Sequence, residues 1–348
     1  LHVRSRRQRQ MCIRDSIYTT VQDEGRFGYE QFGVSPAGPM DRRSFHIANL
    51  LVGNDIGEAE LEMTIMGAEI RFTGPAVIAL TGADMSPLLN EAPVCMYRAF
   101  PVGAGDVLRM QSVSGGCRTY LAAAGGLDIP VVMGSRSTLV KNGIGGYQGR
   151  PLKKGDAIGL RQNMSTIENL PARWMLAEHS EPGCRQIRVI AGPQDDCFTG
   201  KGLEDFFHGT YKVTGDSDRM GYRLTGPCPE HVADGNIISD GIVMGSIQVP
   251  TSGQPIVMMA DCQSIGGYTK IATVITADLP AIGQCKAGDE IRFIPVDIMQ
   301  AQQAYADYYR EMEMLKAKFE TPVAYRPPRL FQVKVGGTSF QVKVEEHS

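Results

Sequence analysis

The sequence predicts a mainly β protein built from barrels or sandwiches. Forty glycines and twenty prolines divide its 348 residues into short segments. Between these turn formers lie apolar runs of strand length, a pattern that favours packed strands over alternating strands and helices. The clearest runs are Ala76–Leu80, Thr119–Ala123, Gln186–Ile190, Ile256–Ala260 and Ile271–Ile275.

A short repeat supports the same fold class. AGDVLRM at 104–110, KGDAIGL at 154–160 and AGDEIRF at 287–293 each place Gly-Asp before alternating residues. Glycine and aspartate favour turns, and an alternation with period two favours a strand with one buried face. Each copy therefore indicates a turn that starts a strand, and the recurrence in both halves of the chain indicates related β units.

The length predicts two domains of about 100–200 residues each. We expect a first barrel at 17–165, a polar linker at 166–184 that contains the single tryptophan, and a second barrel at 185–296. Residues 1–16 read LHVRSRRQRQMCIRDS, which is basic, aperiodic and without the apolar segment of a signal peptide. We expect this leader, which does not look native, to be disordered or poorly packed.

Two helices and a hairpin complete the predicted elements. The segment 41–52 predicts a helix with Asp41 as its N-cap, because aspartate there accepts hydrogen bonds from free backbone N–H groups. Residues 297–320 predict a long amphipathic helix, since apolar residues recur every three or four positions. Those residues are Ile298, Ala301, Tyr305, Tyr308, Met312, Leu315 and Phe319. The tail at 328–346 alternates around Gly336-Gly337, which predicts a β-hairpin.

Charge and cysteine usage exclude several classes of protein. The net charge is −3, so bulk charge attracts neither nucleic acid nor an anionic membrane. No apolar run approaches the roughly 18–20 residues of a membrane span. The eight cysteines form no C-x-x-C pair and histidines are few, which predicts neither a metal site nor a disulfide framework. These features indicate a cytoplasmic protein.

The sequence lacks several familiar catalytic motifs. It has no Walker A loop, no G-x-S-x-G elbow and no H-E-x-x-H. GIGGYQG at 143–149 is close to a dinucleotide-binding loop, but Gln148 occupies the third glycine position and no βαβ pattern surrounds it. His46 lies on the predicted first helix, where a packed or surface role is the simpler interpretation.

Polar residues are concentrated in three glycine-rich clusters. The first contains Gln22, Asp23 and Arg26, the second contains Arg219, and the third is the run 239–279. Buried polar groups are costly without partners, so such residues belong to a site or to a satisfied internal network. The three clusters together favour a shared pocket. The polar residues of the third run are Gln248, Asp261, Gln263, Tyr268 and Lys270.

These side chains suit chemistry on carboxyl and amide groups. Arginine and glutamine donors hold carboxylates and oxyanions, and aspartate moves protons when its pKa is tuned. We expect Arg26 and Arg219 to hold anionic oxygens and Asp23 or Asp261 to handle protons. We further expect Arg26 to be exposed, so that its loss changes stability by no more than about 1 kcal/mol. The expected substrate-binding residues are Gln22, Gln248, Gln263, Tyr268 and Lys270, with Gln248 and Gln263 orienting the amide or carboxyl group.

Eight motifs in order resemble those of one protein family. They are QDEGRFGYEQFGVSPAGPMD (22–41), NLLVGN (49–54), LTGAD (80–84), RTYLAAAGGLDIPVVMGSRST (118–138), GRPLKKGD (149–156), SDRMGYRL (217–224), GSIQVPTSGQPI (245–256) and QSIGGYTKIATVITADL (263–279). They are similar to the biotin-dependent carboxyltransferase / allophanate hydrolase subunit 2 family over about residues 17–296. The resemblance implies two cyclophilin-like β-barrel domains.

The resemblance also implies partners and a nucleotide. A B-type, KipI-like subunit would associate with this chain. With an A-type subunit, they would form an ATP-dependent 5-oxoprolinase that opens 5-oxo-L-proline to L-glutamate, with ATP shared between the subunits. A related module in urea carboxylase instead takes a carboxyl group from biotin, here carried by a partner, and carboxylates urea. A third possibility is a regulatory protein like KipA, which binds a kinase inhibitor.

Two features bear on the choice between these hypotheses. Cys262, Ser264 and Ile265 stand where the family has an arginine and two threonines, so the substrate differs if that arginine holds an anion. The tail at 328–346 resembles the hairpin before biotinyl carrier domains, which favours the carboxyltransferase. Neighbouring A-type and B-type genes would favour the 5-oxoprolinase. A neighbouring gene for a biotin carboxylase or a biotinyl carrier would favour the carboxyltransferase. A neighbouring kinase gene without an A-type gene would favour the regulatory protein.

Overall fold

The protein is mainly β, with two barrel-like units, short helices and one long C-terminal helix, so the predicted fold class is confirmed. A computed structural model describes residues 10–162, 164–177, 183–322, 329–335 and 338–344, and only the backbone in the last two ranges. None of the helices in these ranges is long and apolar enough to span a membrane.

The first unit has two sheets around a common core. Its elements are β1 (Gln10–Asp15), β2 (Thr19–Gln22), α1 (Arg42–Val52), β3 (Glu60–Thr64), β4 (Glu69–Phe72), β5 (Ala76–Gly82), β6 (Leu88–Leu89), β7 (Ala92–Pro93), β8 (Ala99–Val102), β9 (Val107–Arg109), β10 (Arg118–Ala123), β11 (Leu127–Asp128) and β12 (Ala157–Leu160). One sheet has the order β11-β12-β1-β4-β9-β6-β7, and the other has the order β2-β3-β10-β5-β8.

The continuous apolar runs of β5 and β10 follow from burial on both faces. Leu121 and Ala123 point into the core between the two sheets, whereas Tyr120 and Ala122 pack under the helices. A strand covered on both sides needs apolar residues at every position, and this is why the run shows no alternation.

The second unit is a closed barrel of seven strands. Its elements are β13 (Arg185–Ala191), α2 (Gly200–His208), β14 (Tyr211–Val213), β15 (Gly221–Thr225), β16 (Asn236–Gly241), β17 (Ser246–Val249), β18 (Ile256–Met258), β19 (Ile265–Val274), α3 (Leu279–Gly283) and β20 (Glu290–Pro295). The sheet runs β13-β20-β14-β15-β18-β17-β19, and a β13–β19 pairing closes it. β16 pairs antiparallel with the first part of β19 and lies outside the closed barrel.

The helix α4 (Ile298–Glu320) and the strands β21 (Arg329–Val335) and β22 (Thr338–Val344) follow the barrel. β21 and β22 pair antiparallel across residues 336–337, which lie outside the described part of the chain. Short 3₁₀ helices occur at Glu30–Phe32, Val140–Asn142, Leu170–Ala172, Asp195–Cys197 and Thr276–Asp278.

The leader is a correction to the sequence analysis. β1 pairs antiparallel with β12 on one side and with β4 on the other, and Met11 and Ile13 are buried in the core. The expectation of a poorly packed leader was therefore wrong for residues 10–15, and the first unit begins before residue 17. Met11 and Ile13 alternate with more exposed neighbours, which is the period-two signal of a strand.

The helices begin and end at signals that the sequence carries. The Asp41 side chain accepts a hydrogen bond from the Ser44 N–H at 3.0 Å, and Gly53 ends α1 in the left-handed region. α4 begins with a capping box formed by Asp297 and Gln300.

α4 packs on α1 through the second half of its predicted apolar stripe. Tyr308, Met312 and Phe319 are buried, whereas Ile298 and Tyr305 are exposed. His46 is a packed histidine, as the simpler interpretation held: its ring contacts the Glu24 carboxylate on one side and the Tyr308 hydroxyl at 2.5 Å on the other. This contact ties α4 to the segment that follows β2.

The predicted linker runs along the first unit. Trp174 forms an isolated β-bridge with Arg98, and the Ala99 N–H donates to the Arg173 carbonyl at 2.9 Å. The Arg173 side chain in turn donates to the carbonyl of Leu50 near the end of α1 at 2.9 Å. The described residues at the start of the predicted linker are therefore packed on the first unit.

β3 carries a buried carboxyl group without a partner. Glu60 is fully buried, and neither side-chain oxygen has a hydrogen-bond partner among the described residues. Burial raises the pKa of Glu60 well above its ordinary value, and the carboxylates of Glu58 and Glu24 raise it further. The folded protein therefore keeps this group protonated to a higher pH than the unfolded chain does.

Glu60→Gln is expected to increase stability at neutral pH. The raised pKa means that the stability contributed by Glu60 is present below its unfolded pKa of about 4.3 and is lost as pH rises, by about 1.4 kcal/mol per pH unit. The neutral amide has no such dependence. Urea unfolding at several pH values should therefore show a stability difference that is small near pH 4 and grows toward pH 7. A difference independent of pH would contradict the raised pKa.

Candidate functional site at the junction of the two units

The first polar cluster lies on the turn that follows β2. Gln22 Oε1 accepts from the Gly38 N–H at 3.2 Å, and Gln22 Nε2 donates to the Thr138 carbonyl at 3.2 Å. Gly38 has φ of +94°, and a Cβ there would lie 3.1 Å from the Glu24 carbonyl oxygen, so this turn requires glycine. The Gly38 carbonyl accepts from Arg219 Nη2 at 2.7 Å. The backbone of Gly38 thus joins the first cluster to the second.

The Asp23 carboxylate holds a loop of its own unit. The hydroxyls of Ser135 and Ser137 donate to Oδ1 at 2.5 and 2.6 Å, and the Arg136 N–H donates to Oδ2 at 2.5 Å. The Gly25 N–H also donates to Oδ1, at 3.0 Å. These contacts favour a role in fixing residues 135–137, and proton transfer by Asp23 stays a prediction.

Arg26 is buried, so the expectation that it is exposed was wrong. Its side chain is 1% exposed, because its own turn and the backbone at Gly145 cover it. Nη2 donates to the Ser137 carbonyl at 2.5 Å, while Nε and Nη1 have no hydrogen-bond partner in the described part of the chain. Burial lowers the pKa of Arg26, although the charges of Asp23 and Asp261 oppose the shift.

Arg219 and Asp261 form a buried bidentate ion pair. Arg219 Nε and Nη2 donate to Asp261 Oδ2 and Oδ1, both at 2.9 Å. Arg219 Nη1 donates to Glu62 of the first unit, so all three guanidinium nitrogens are engaged. Although burial opposes the charge, Asp261 and Glu62 raise the pKa of Arg219 well above its ordinary value.

Glu62 is the residue at this junction that sequence analysis missed. Its Oε2 accepts from the Met40 N–H at 2.9 Å and from the Tyr120 hydroxyl at 2.7 Å. Burial alone would raise its pKa, but Arg219, Arg118 and these hydrogen bonds lower the pKa below the ordinary value. The available signal was the ELEMT segment of β3, in which acids stand at alternate positions of a buried strand.

Two more missed residues join the units beside Glu62. Arg118 Nη1 of the first unit donates to the Tyr222 hydroxyl and to the Gly283 carbonyl of the second, each at 2.5 Å. Gln284 of the second unit accepts from the Arg118 N–H at 2.9 Å and donates to the Asp41 carboxylate at 2.7 Å. The N-cap of α1 is thus also part of the junction.

The remaining predicted residues form a second group on the barrel. Lys270 is buried, and its ammonium donates to the Asp240 carboxylate at 2.6 Å and to the Gly241 carbonyl at 3.0 Å. Gln248 Nε2 donates to the Tyr268 carbonyl at 3.5 Å, so it contacts the Tyr268 backbone rather than its ring. Gln263 is half-buried.

Cys262, at the position of the family departure, is a packed thiol. It is buried against Ile242 and Met258. Burial and the nearby Asp261 charge raise its pKa to about 12, so it is not a thiolate at neutral pH. Its backbone carbonyl accepts from the Ser35 hydroxyl at 2.6 Å, which fastens the turn after β2 to the second unit.

The junction offers hydrogen-bond donors rather than a metal centre. Among the residues that the structure describes, no group of three or more His, Cys, Asp or Glu side chains is arranged to hold a metal ion. The carboxylates of Asp23 and Asp261 are already bonded to protein donors. Two nitrogens of Arg26 have no hydrogen-bond partner among the residues that the structure covers, and a guanidinium in this state suits a carboxylate or another oxyanion.

Comparison with known proteins extends these observations. A family model described as carboxyltransferase domain, subdomain A and B, matches residues 32–295. The chain is 38% identical over 304 residues to the C-type subunit of 5-oxoprolinase from Escherichia coli (strain K12), a match that covers 87% of this chain and 96% of that protein.

Larger enzymes match the same chain over part of their length. The chain is 37% identical over 307 residues to urea amidolyase of Lachancea kluyveri, covering 82% of this chain and 17% of that protein. The crystal structure of the K. lactis urea amidolyase superposes with a TM-score of 0.82 at 30% identity, covering 97% of this chain and 22% of that one. This chain therefore corresponds to one part of those longer proteins.

Glu62→Gln is expected to destabilise the protein by about 3–5 kcal/mol at pH 7, because it leaves Arg219 without one of its buried counter-charges. Since the pKa of Glu62 is lowered, its contribution is present above an unfolded pKa of about 4.3 and is lost as pH falls through the folded pKa. The difference from wild type should therefore shrink in acid. Chemical denaturation at pH 7 and in acid, near pH 3–4, measures both effects.

Glu290→Gln is the matched control for Glu62→Gln. Glu290 is half exposed and pairs with Lys212 at 3.8 Å, so its loss should change stability by less than about 1 kcal/mol. Equal effects of the two substitutions would show that the junction ion pairs do not stabilise the fold.

Proposed function

This chain belongs to the carboxyltransferase-domain family, subdomains A and B, and on that basis we propose that it is the C-type subunit of an ATP-dependent 5-oxoprolinase. Such a complex opens the lactam of 5-oxo-L-proline to L-glutamate. The observation that carries the proposal is the match with the E. coli protein over nearly its whole length.

The chemistry of the junction supports an acidic lactam as substrate. Opening the ring requires water to attack the lactam carbonyl, with the negative charge on oxygen stabilised while the ring nitrogen gains a proton. The substrate also carries a carboxylate that must be held. Arginine is well suited to that task because its planar donors match a carboxylate, and Arg26 has nitrogens free.

The proposal includes B-type, KipI-like and A-type partner subunits. The sequence predicted proton transfer by Asp23 or Asp261, yet both carboxylates bind protein donors. A general base must reach the proton that it removes. We therefore place the free base on a partner, which supports an enzyme that is active only as a complex.

ATP would supply the free energy for opening the lactam, and we assign its binding to the complex as a whole rather than to residues of this chain. The free donors of Arg26 fit an oxyanion in general, including a phosphate oxygen, so they do not distinguish a nucleotide from a carboxylate. A cytoplasmic location, where ATP and its regeneration are available, belongs to the same proposal.

A second candidate is the carboxyltransferase component of a biotin-dependent carboxylase that acts on a urea-like or amide-like acceptor. The high structural similarity to the K. lactis urea amidolyase favours it, since that match includes most of this chain. In this case biotin on a partner would deliver the carboxyl group, and the donors at the junction would hold it. The paired strands β21 and β22 support this candidate because of their resemblance to hairpins before biotinyl carriers.

Assembly of this chain with A-type and B-type subunits tests the proposal. We expect the purified complex to release glutamate from 5-oxo-L-proline only when ATP is present, and each protein alone to release none. The measurement is coupled detection of glutamate, with avidin added in a parallel reaction. Because the proposed reaction uses no biotin, avidin should have no effect.

Avidin-sensitive carboxylation of urea by the same assembly would select the second candidate instead. A verified complex with neither activity would refute both candidates and favour the regulatory role.

A further inference from the structure

Arg26 is a buried cation whose charge the protein leaves only partly compensated. Among the described residues, its single side-chain hydrogen bond is the one from Nη2 to the Ser137 carbonyl, and Nε and Nη1 donate to nothing. Removing a guanidinium from water without satisfying its donors costs several kcal/mol. A ligand that accepts from these nitrogens would recover that cost.

The two nearest carboxylates are already committed elsewhere. Asp23 accepts from the serines and backbone of residues 135–137, and Asp261 accepts both of its bonds from Arg219. Both carboxylates influence the charge of Arg26 but neither bonds to it. Asp23 and Asp261 therefore balance part of the Arg26 charge from a distance, while Nε and Nη1 find no acceptor among the described residues and remain available to an anion.

The glycine-rich loop at 143–149 covers Arg26. A Cβ at Gly145 would be 2.5 Å from Arg26 Nη2 and 2.2 Å from the Ser137 carbonyl oxygen, so the loop backbone at 143–149 packs directly on the guanidinium. Gly145 and Gly146 both have positive φ, which lets the loop approach this closely. Gln148 in this loop and Phe27 beside Arg26 are exposed, so the loop and the turn around the guanidinium both reach the protein surface.

We propose that Arg26 and the loop 143–149 form a covered subsite for a carboxylate, which binds to the free Arg26 nitrogens when the loop lifts. The inference rests on the proposed function for the identity of the ligand, namely the carboxylate of the lactam acid or the carboxyl group in transfer. The subsite is distinct from the Arg219–Asp261 pair, whose donors and acceptors are filled.

Arg173 provides a matched comparison within the same chain. It is also buried, at 6% exposed, and burial also lowers its pKa. Its nitrogens, however, donate to the backbone carbonyls of Glu168 at 2.7 Å and Leu50 at 2.9 Å. The side chain of Arg173 thus has a structural role, whereas two side-chain nitrogens of Arg26 have no hydrogen-bond partner among the described residues.

The test compares ligands and variants on the full chain by calorimetry and thermal unfolding. We expect 5-oxo-L-proline or bicarbonate to bind and raise the unfolding temperature. The neutral lactam 2-pyrrolidinone, which lacks the carboxylate, should do neither. Arg26→Met should weaken carboxylate binding by about tenfold or more while leaving the unliganded protein as stable as wild type or more so. Arg173→Met should lower stability and leave the affinity unchanged.

Stabilisation by phosphate alone, equal binding of 2-pyrrolidinone, or unchanged affinity in Arg26→Met would overturn the subsite. Should Arg26→Met not fold, hydrogen exchange on the wild type decides the question. Carboxylate should then slow exchange in residues 143–149, and the neutral lactam should not; equal exchange with both ligands counts against the subsite.

The binding result and the proposed function can fail separately. If the assembled complex shows no 5-oxoprolinase activity but the chain binds bicarbonate through Arg26, the function is wrong and the subsite stands. If the complex is active and Arg26→Met leaves the KM for 5-oxo-L-proline unchanged, the function stands and the subsite is wrong.

Discussion

The buried ion pairs of Arg219 are the interaction on which the arrangement of the two units depends. A guanidinium from the second unit lies between Glu62 of the first and Asp261 of its own unit, with its remaining donor capacity directed at the Gly38 carbonyl. Since an uncompensated charge at this depth is strongly unfavourable, the units can separate or shift only at a high cost in free energy. The turn after β2 is held in place by the same contacts.

Around this pair, further polar groups of the junction have partners in the opposite unit. Gln284 bonds to β10 and to the N-cap of α1, and Arg118 bonds to Tyr222. Pairing is the usual condition for burying polar groups. Arg118 Nε also lacks a hydrogen bond among the described residues, but it lies 3.8 Å from the Glu62 carboxylate. Arg26 differs because two of its nitrogens have no partner in the described part of the chain and neither nearby carboxylate bonds to it.

Local signals in the sequence were reliable where the physical cause is local. The N-cap at Asp41 depends on neighbouring backbone geometry, and it is where the sequence predicted it. The prediction of a poorly packed leader failed because the physical cause of its packing is not local. Its basic composition disguised a strand whose burial depends on β4 and β12, which are distant in sequence. The prediction that Arg26 is exposed failed for the same reason, because the loop that covers it, at 143–149, is distant in sequence.

The sequence by itself determined the β architecture, the caps and turns, and the residue types available for carboxyl chemistry, because period, turn preference and side-chain chemistry are properties of short segments. Only the tertiary structure decided which of those residues already form hydrogen bonds with other protein groups. Asp23 and Asp261 accept hydrogen bonds from protein donors. Lys270 and Gln248 lie in a separate group on the barrel, and Glu62 lies at the junction. Hydrogen-bond satisfaction depends on partners that lie from 22 to 112 residues away in these contacts, so no local pattern could have assigned it.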